Sequence, residues 1–113
     1  MTIHGPSNYA NQQLSKTIYT LATSPGDVRL RILQAYKSFH TLTSDHFPEE
    51  LRKDFEWVMK QLEKQAPVID YDGRIQKSKA QVSLERMRNS TGVKIAEKLF
   101  KLHQDIEFHL NQK

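Results

Sequence analysis

The chain has 113 residues, 37% hydrophobic and 27% charged, with a formal net charge of +4 and no cysteine. That length suits one domain with a modest core, and the missing cysteines exclude disulfide frameworks, thiolate metal sites and thiol nucleophiles. No apolar run approaches the roughly 18 residues of a membrane span, and Met1 to Gln13 is polar with no signal-peptide core, so a cytoplasmic protein with no membrane contact is expected.

Residues 1–6 read as a loose tail broken by Gly5-Pro6, and residues 7–113 as one helical domain. Ser7 or Asn8 can cap a first helix to about Ala22, with Ala10, Leu14, Ile18 and Leu21 at helical spacing and Tyr19 off that stripe. The second helix is the one around which the others are expected to pack. In it Val28, Ile32, Ala35, Tyr36, Phe39 and Leu42 share one broad face, and Leu30 and Leu33 fall nearly opposite. A helix wet on one side would not normally carry leucines there, so this helix is expected to be packed on both sides. Ser24 as N-cap, Pro25 at the first helical position and Asp27 three residues on predict its start.

Pro48-Glu49-Glu50 opens a third helix with acids where the helix dipole favours them. Leu51, Phe55, Val58, Met59 and Leu62 form its core stripe, and Trp57 lies well outside it, expected to be partly exposed or to fill a second contact. Lys64 to Gly73 reads as a turn-rich linker in which Val68, Ile69 and Tyr71 add a short extended piece but no sheet. Helical spacing over Arg74 to about Arg88 is weaker and predicts a fourth helix, with Ile75, Lys79 and Arg86 on one face. Asn89 to Gly92 reads as a stop and new cap before a last helix, Val93 to about Leu110. Its apolar face is Ile95, Ala96, Leu99, Leu102, Ile106 and Leu110; Phe108 lies off it and His103 at its edge, as a hydrogen-bonded boundary residue. The fold class expected is all-α, a single-domain bundle of four to five short helices.

Gly26-Asp27-Val28-Arg29, Leu33, the Phe47-Pro48-Glu49-Glu50-Leu51 helix start, Gly73, Met87 and Ala96-Glu97 together resemble the pattern of an unnamed group of short bacterial helical proteins. The resemblance implies a bacterial, cytosolic and mostly helical protein. It carries no activity, cofactor or site.

Charge is uneven. From Arg74 to Lys101 eight basic residues face only Glu85 and Glu97, and the rest of the chain is slightly acidic. There is no nucleophile elbow, glycine-rich phosphate loop or dinucleotide fingerprint, so no catalytic or cofactor-binding residues are assigned and an enzyme ranks third. Asp70-Tyr71-Asp72-Gly73 resembles the middle of a calcium loop, but the register would put Val68 and Lys79 at ligand positions, and no metal is expected. The leading expectation is a non-enzymatic protein working through protein contacts, as subunit, adaptor, regulator or homo-oligomer. Its interface would be built from Tyr19, Leu30, Leu33, Trp57 and Phe108, the apolar side chains outside the main stripes. The alternative is a small nucleic-acid-binding protein using Arg74, Lys77, Lys79, Arg86 and Arg88, recognisable by steep weakening with salt.

Overall fold

The computed structural model describes residues 6–112, so the expected tail lies outside the described residues except for Pro6, which opens a helix. The elements run α1 (Pro6–Thr23), α2 (Val28–Phe39), a single 3-10 turn at Ser44–His46, α3 (Glu49–Leu62), β1 (Val68–Ile69), β2 (Ile75–Lys77), α4 (Lys79–Arg86) and α5 (Asn89–Leu110). The domain is all-α. Helices α1 and α5 pack on each other and on α2, while α3 and α4 close the other side. No described helix is long and apolar enough to cross a membrane.

The predicted stripes form one core. Ala10 and Leu14 of α1, Ile32, Ala35 and Phe39 of α2, Leu51, Phe55, Val58 and Leu62 of α3, and Ile95, Leu99, Leu102 and Ile106 of α5 are buried together. Phe39 is fully enclosed with the Tyr36 ring edge-on at 5.3 Å, and Phe47 stacks tilted on Phe55 at 4.7 Å. Thr17 sits among these residues because its hydroxyl donates to the Gln13 carbonyl at 2.9 Å, which satisfies it within its own helix.

Helix α2 also holds the ends of its neighbours. Arg31 Nη1 donates to the Leu21 carbonyl near the end of α1 at 3.1 Å, and Arg29 Nη1 to the Met87 carbonyl after α4 at 3.0 Å. Gln13 of α1 returns the favour, donating to the Ser38 carbonyl at 2.8 Å. Carbonyls at helix ends lack intrahelical partners, and cationic donors suit the negative end of the dipole.

Several expectations are corrected. The N-cap of α2 is Asp27, not Ser24: its carboxylate accepts from the Arg29 and Leu30 amides at 2.8 and 3.3 Å. Gly26 stands at φ +94°, a left-handed conformation that keeps Ser24 and Pro25 out of the helix. The two-sided packing of α2 is only half realised, since Leu33 packs on the core and Leu30 stays exposed. Residues 74–88 are not one helix: 75–77 pair with 68–69 as a hairpin, and α4 starts at Lys79 with Ser78 as its N-cap. Ile75 therefore shares no helix face with Lys79 and Arg86. Asn89 to Gly92 is the first turn of α5, and no break, because Gly92 is where α5 approaches α2; an added Cβ would lie 3.0 and 3.1 Å from Arg29 Cγ and Val28 Cγ1. His103 is at the boundary as expected, but its buried Nε2 has no hydrogen-bond partner among the described residues.

Two carboxyls tie pH to this framework. The Arg29 guanidinium hydrogen-bonded to Asp27 holds that carboxyl below its usual 3.8, and Lys77 donating to Glu85 at 2.9 Å holds Glu85 below its usual 4.5. A lowered folded pKa means that the stability is in place above the usual value and is lost as pH falls through the folded one. Between about pH 5 and pH 3 the melting temperature of the wild type is expected to fall further than that of Glu85→Gln, as followed by circular dichroism.

Candidate functional site

The linker after α3 ends in Pro67, and the chain then turns back on itself. Asp70 makes the turn: its carbonyl accepts from the Gly73 amide at 3.0 Å, and its Oδ1 accepts from the Asp72 and Arg74 amides at 2.9 and 3.0 Å. Gly73 takes φ +82°, the left-handed residue that a three-residue hairpin loop needs after its turn. The Asp70 carboxylate is thus engaged in building the turn. Among the described residues no group of three His, Asp or Glu side chains gathers in a way that could hold a metal.

In the hairpin Ile69 pairs with Ile75 and Val68 with Lys77, and a bulge leaves Gln76 as the extra residue. Cross-strand partners share a face, so Ile69 and Ile75, 55% and 67% exposed, form one apolar pair facing solvent. Tyr71 at the tip is 98% exposed. Among the described residues no helix packs closely along this ribbon, and the Lys77–Glu85 ion pair ties its root to α4. Its edges are poor templates for another strand: the strands are two and three residues long, Pro67 precedes β1, and the bulge and Lys77 interrupt β2. What it leaves unpartnered is the face.

Beside that root lies a groove between α2 and α4, with Leu30, Leu33 and Leu84 as its apolar lining and Asp27, Arg29, Gln81 and Glu85 as its margins, about 340 Å³ in volume. Leu30 is 47% exposed at its rim, and Gly26 lies so close against it that an added Cβ would come within 2.6 Å of Leu30 Cδ2.

The five apolar residues expected to form one interface are thus divided. Leu30 and Leu33 line the groove together. Trp57 is taken up within the chain, half-buried against the core with Lys98 Nζ 5.3 Å from its ring, while the same ammonium pairs with Asp54 at 3.0 Å. Tyr19 is exposed on α1, and Phe108 lines a shallow depression with Glu50 and Leu51 at the start of α3. Neither of these two lines the groove. The hairpin pair Ile69 and Ile75 and the tip Tyr71 are further exposed apolar residues that the stripe pattern does not single out. The signal available was Asp70-Tyr71-Asp72-Gly73 between two β-branched stretches, which is a hairpin signature.

The basic residues divide as well. Arg74 is in the turn, Lys77 is paired with Glu85, and Lys79 opens α4. Arg86 and Arg88 line a separate cleft with Lys64, Gln61, Gln65 and Thr91, about 380 Å³ in volume. A further depression, about 600 Å³ between Thr43-Ser44 and α3, is spanned by the Ser44 hydroxyl donating to Glu56 at 2.7 Å.

Fold and surface together define a small helical domain carrying a free-standing hairpin beside an apolar groove. Compared with family models, curated proteins and solved structures, the chain matches none.

Proposed function

We propose that this protein works through protein contacts, as a non-enzymatic subunit, adaptor or regulator, and that its partner surface is the hairpin with the adjoining α2–α4 groove. The observation that carries the reading is the Ile69–Ile75 pair with Tyr71 beyond it, large apolar side chains held out in water on a ribbon that no helix among the described residues covers. An isolated two-stranded ribbon is marginal in water and gains most from packing on one face. Aromatic and apolar side chains concentrated on a projecting element are also the usual makings of an interface hot spot.

The partner that fits is a second copy of the chain. A stable interface buries about 1,200–2,000 Å² in total, more than one short ribbon face provides. Two hairpins lying antiparallel about a two-fold axis bring each tip to the other's root. The root is where the Leu30–Leu33–Leu84 groove begins, since Glu85 both lines that groove and holds Lys77. Knob and groove are then used twice, as an isologous contact requires. The tip charges suit this pairing: Asp72 and Arg74 are both exposed, opposite in sign, and in no ion pair among the described residues.

Sedimentation equilibrium tests the reading. The wild type is expected to associate to a dimer with rising concentration, and Ile75→Asp to remain monomeric with an unchanged helical circular-dichroism spectrum, because Ile75 is not part of the core. A wild type that stays monomeric at high concentration contradicts the homodimer.

A further inference from the structure

The cleft formed by Lys64, Arg86 and Arg88 stands apart from the hairpin and groove. Its cations come from three places in the chain: just past the end of α3, the last residue of α4, and the junction of α4 with α5. No carboxylate lines it. Glu85 is turned to Lys77, and among the described residues no ion pair takes up any of the three cations. Neutral groups hold two of them instead. Lys64 Nζ donates to Gln61 Oε1 at 3.4 Å, and Arg86 Nη1 to Gln65 Oε1 at 3.2 Å. The floor is pinned where the Gln65 amide donates to the buried Ser83 hydroxyl at 3.0 Å.

Three positive charges gathered on one concavity repel each other, and a multiply charged anion removes that cost. Two guanidiniums offer planar pairs of donors that match phosphate oxygens, and an ammonium adds a point charge. Thr91 and the free amide protons of the glutamines supply neutral donors around the same space. Helix α5 begins at this rim with no acid in its first turn, so nothing there opposes an anion. Met87 gives the cleft one apolar wall, and a volume of about 380 Å³ is within the range of small-molecule pockets.

We infer that this cleft binds the phosphate group of a small phosphorylated molecule. Nucleic acid would present the same phosphate chemistry, but the three cations here line one open cleft of about 380 Å³, the size of a small-molecule site.

The full-length, ¹⁵N-labelled chain is titrated with inorganic phosphate, adenosine 5′-monophosphate, adenosine and a mixed-sequence DNA duplex, and amide shifts are followed by NMR. Phosphate and the monophosphate are expected to move amides within 61–65 and 83–91, and adenosine to leave them in place. Arg86→Gln and Arg88→Gln, each with the wild-type melting temperature, are expected to weaken monophosphate binding about tenfold or more, and Arg74→Gln to leave it unchanged. No shift with either phosphate compound, or equal shifts with adenosine, overturns the inference. So does duplex binding that Arg74→Gln and Lys79→Gln weaken as much as Arg88→Gln, which assigns the basic segment to nucleic acid.

Discussion

Phe39→Ala is expected to destabilise the protein by about 3–5 kcal/mol, the usual result of emptying a buried aromatic site. Phe39 is wholly enclosed at the end of α2, and Tyr36 leans edge-on against it. Its removal therefore takes away both the buried area of a large ring and an aromatic contact whose geometry is set by the neighbouring turn. The cavity would open where α2 meets the core, so little backbone is free to collapse into it. Urea denaturation followed by circular dichroism checks this: the midpoint should fall sharply with an unchanged slope, and a midpoint equal to the wild type's would show that α2 does not organise the core.

The second large effect is expected at Gly92. An alanine there gains helix propensity of about 1 kcal/mol over glycine, but its Cβ would press on Arg29 Cγ and Val28 Cγ1 at 3.0 and 3.1 Å. The two effects roughly cancel, so Gly92→Ala should move stability little. Leucine has no such balance. Its branched side chain cannot enter the contact without pushing α5 from α2, and that shift would also strain the Arg29 bond to the Met87 carbonyl. Gly92→Leu is expected to cost about 3 kcal/mol, at the upper end of ordinary overpacking. Thermal melts of the two variants side by side distinguish a steric glycine from one that merely ends a helix, since in the latter case alanine and leucine would behave alike.

Gly92 also marks where the sequence could be read and where it could not. The helices α1, α3 and α5 were legible because their buried residues recur every three to four positions, as in Leu51, Phe55, Val58 and Leu62. Asn-Ser-Thr-Gly carries the same local preferences whether it caps a helix or begins one inside a tight crossing, and only the position of α2 decides. The same holds for Ser24 and Asp27. Both are good caps, and the choice falls to Asp27 because Gly26 takes a left-handed conformation before it. Residues 74–88 differ for another reason: a three-residue strand is too short to display a period of two, so the spacing of Ile75 does not separate it from the helix that follows.

The proposed contact surface is legible in the sequence only in part. Leu30 and Leu33 could be singled out as apolar residues on the wrong side of α2, and they do line one groove. Trp57 could not be placed, because the lysine that covers its ring lies on α5, 41 residues further along the chain than Trp57 (98 − 57 = 41). Ile69 and Ile75 become a pair only once the hairpin register is known.

The absence of cysteine from the sequence allows the proposed contact to be tested by its geometry. Chains carrying Tyr71→Cys are mixed with isotope-labelled chains carrying Leu30→Cys, oxidised under mild conditions, and the mass of each crosslinked product is read. A tip seated in the partner's groove predicts mixed Tyr71–Leu30 dimers well above those formed by Tyr71→Cys with a Tyr19→Cys control on α1. Equal yields from the two mixtures would contradict it.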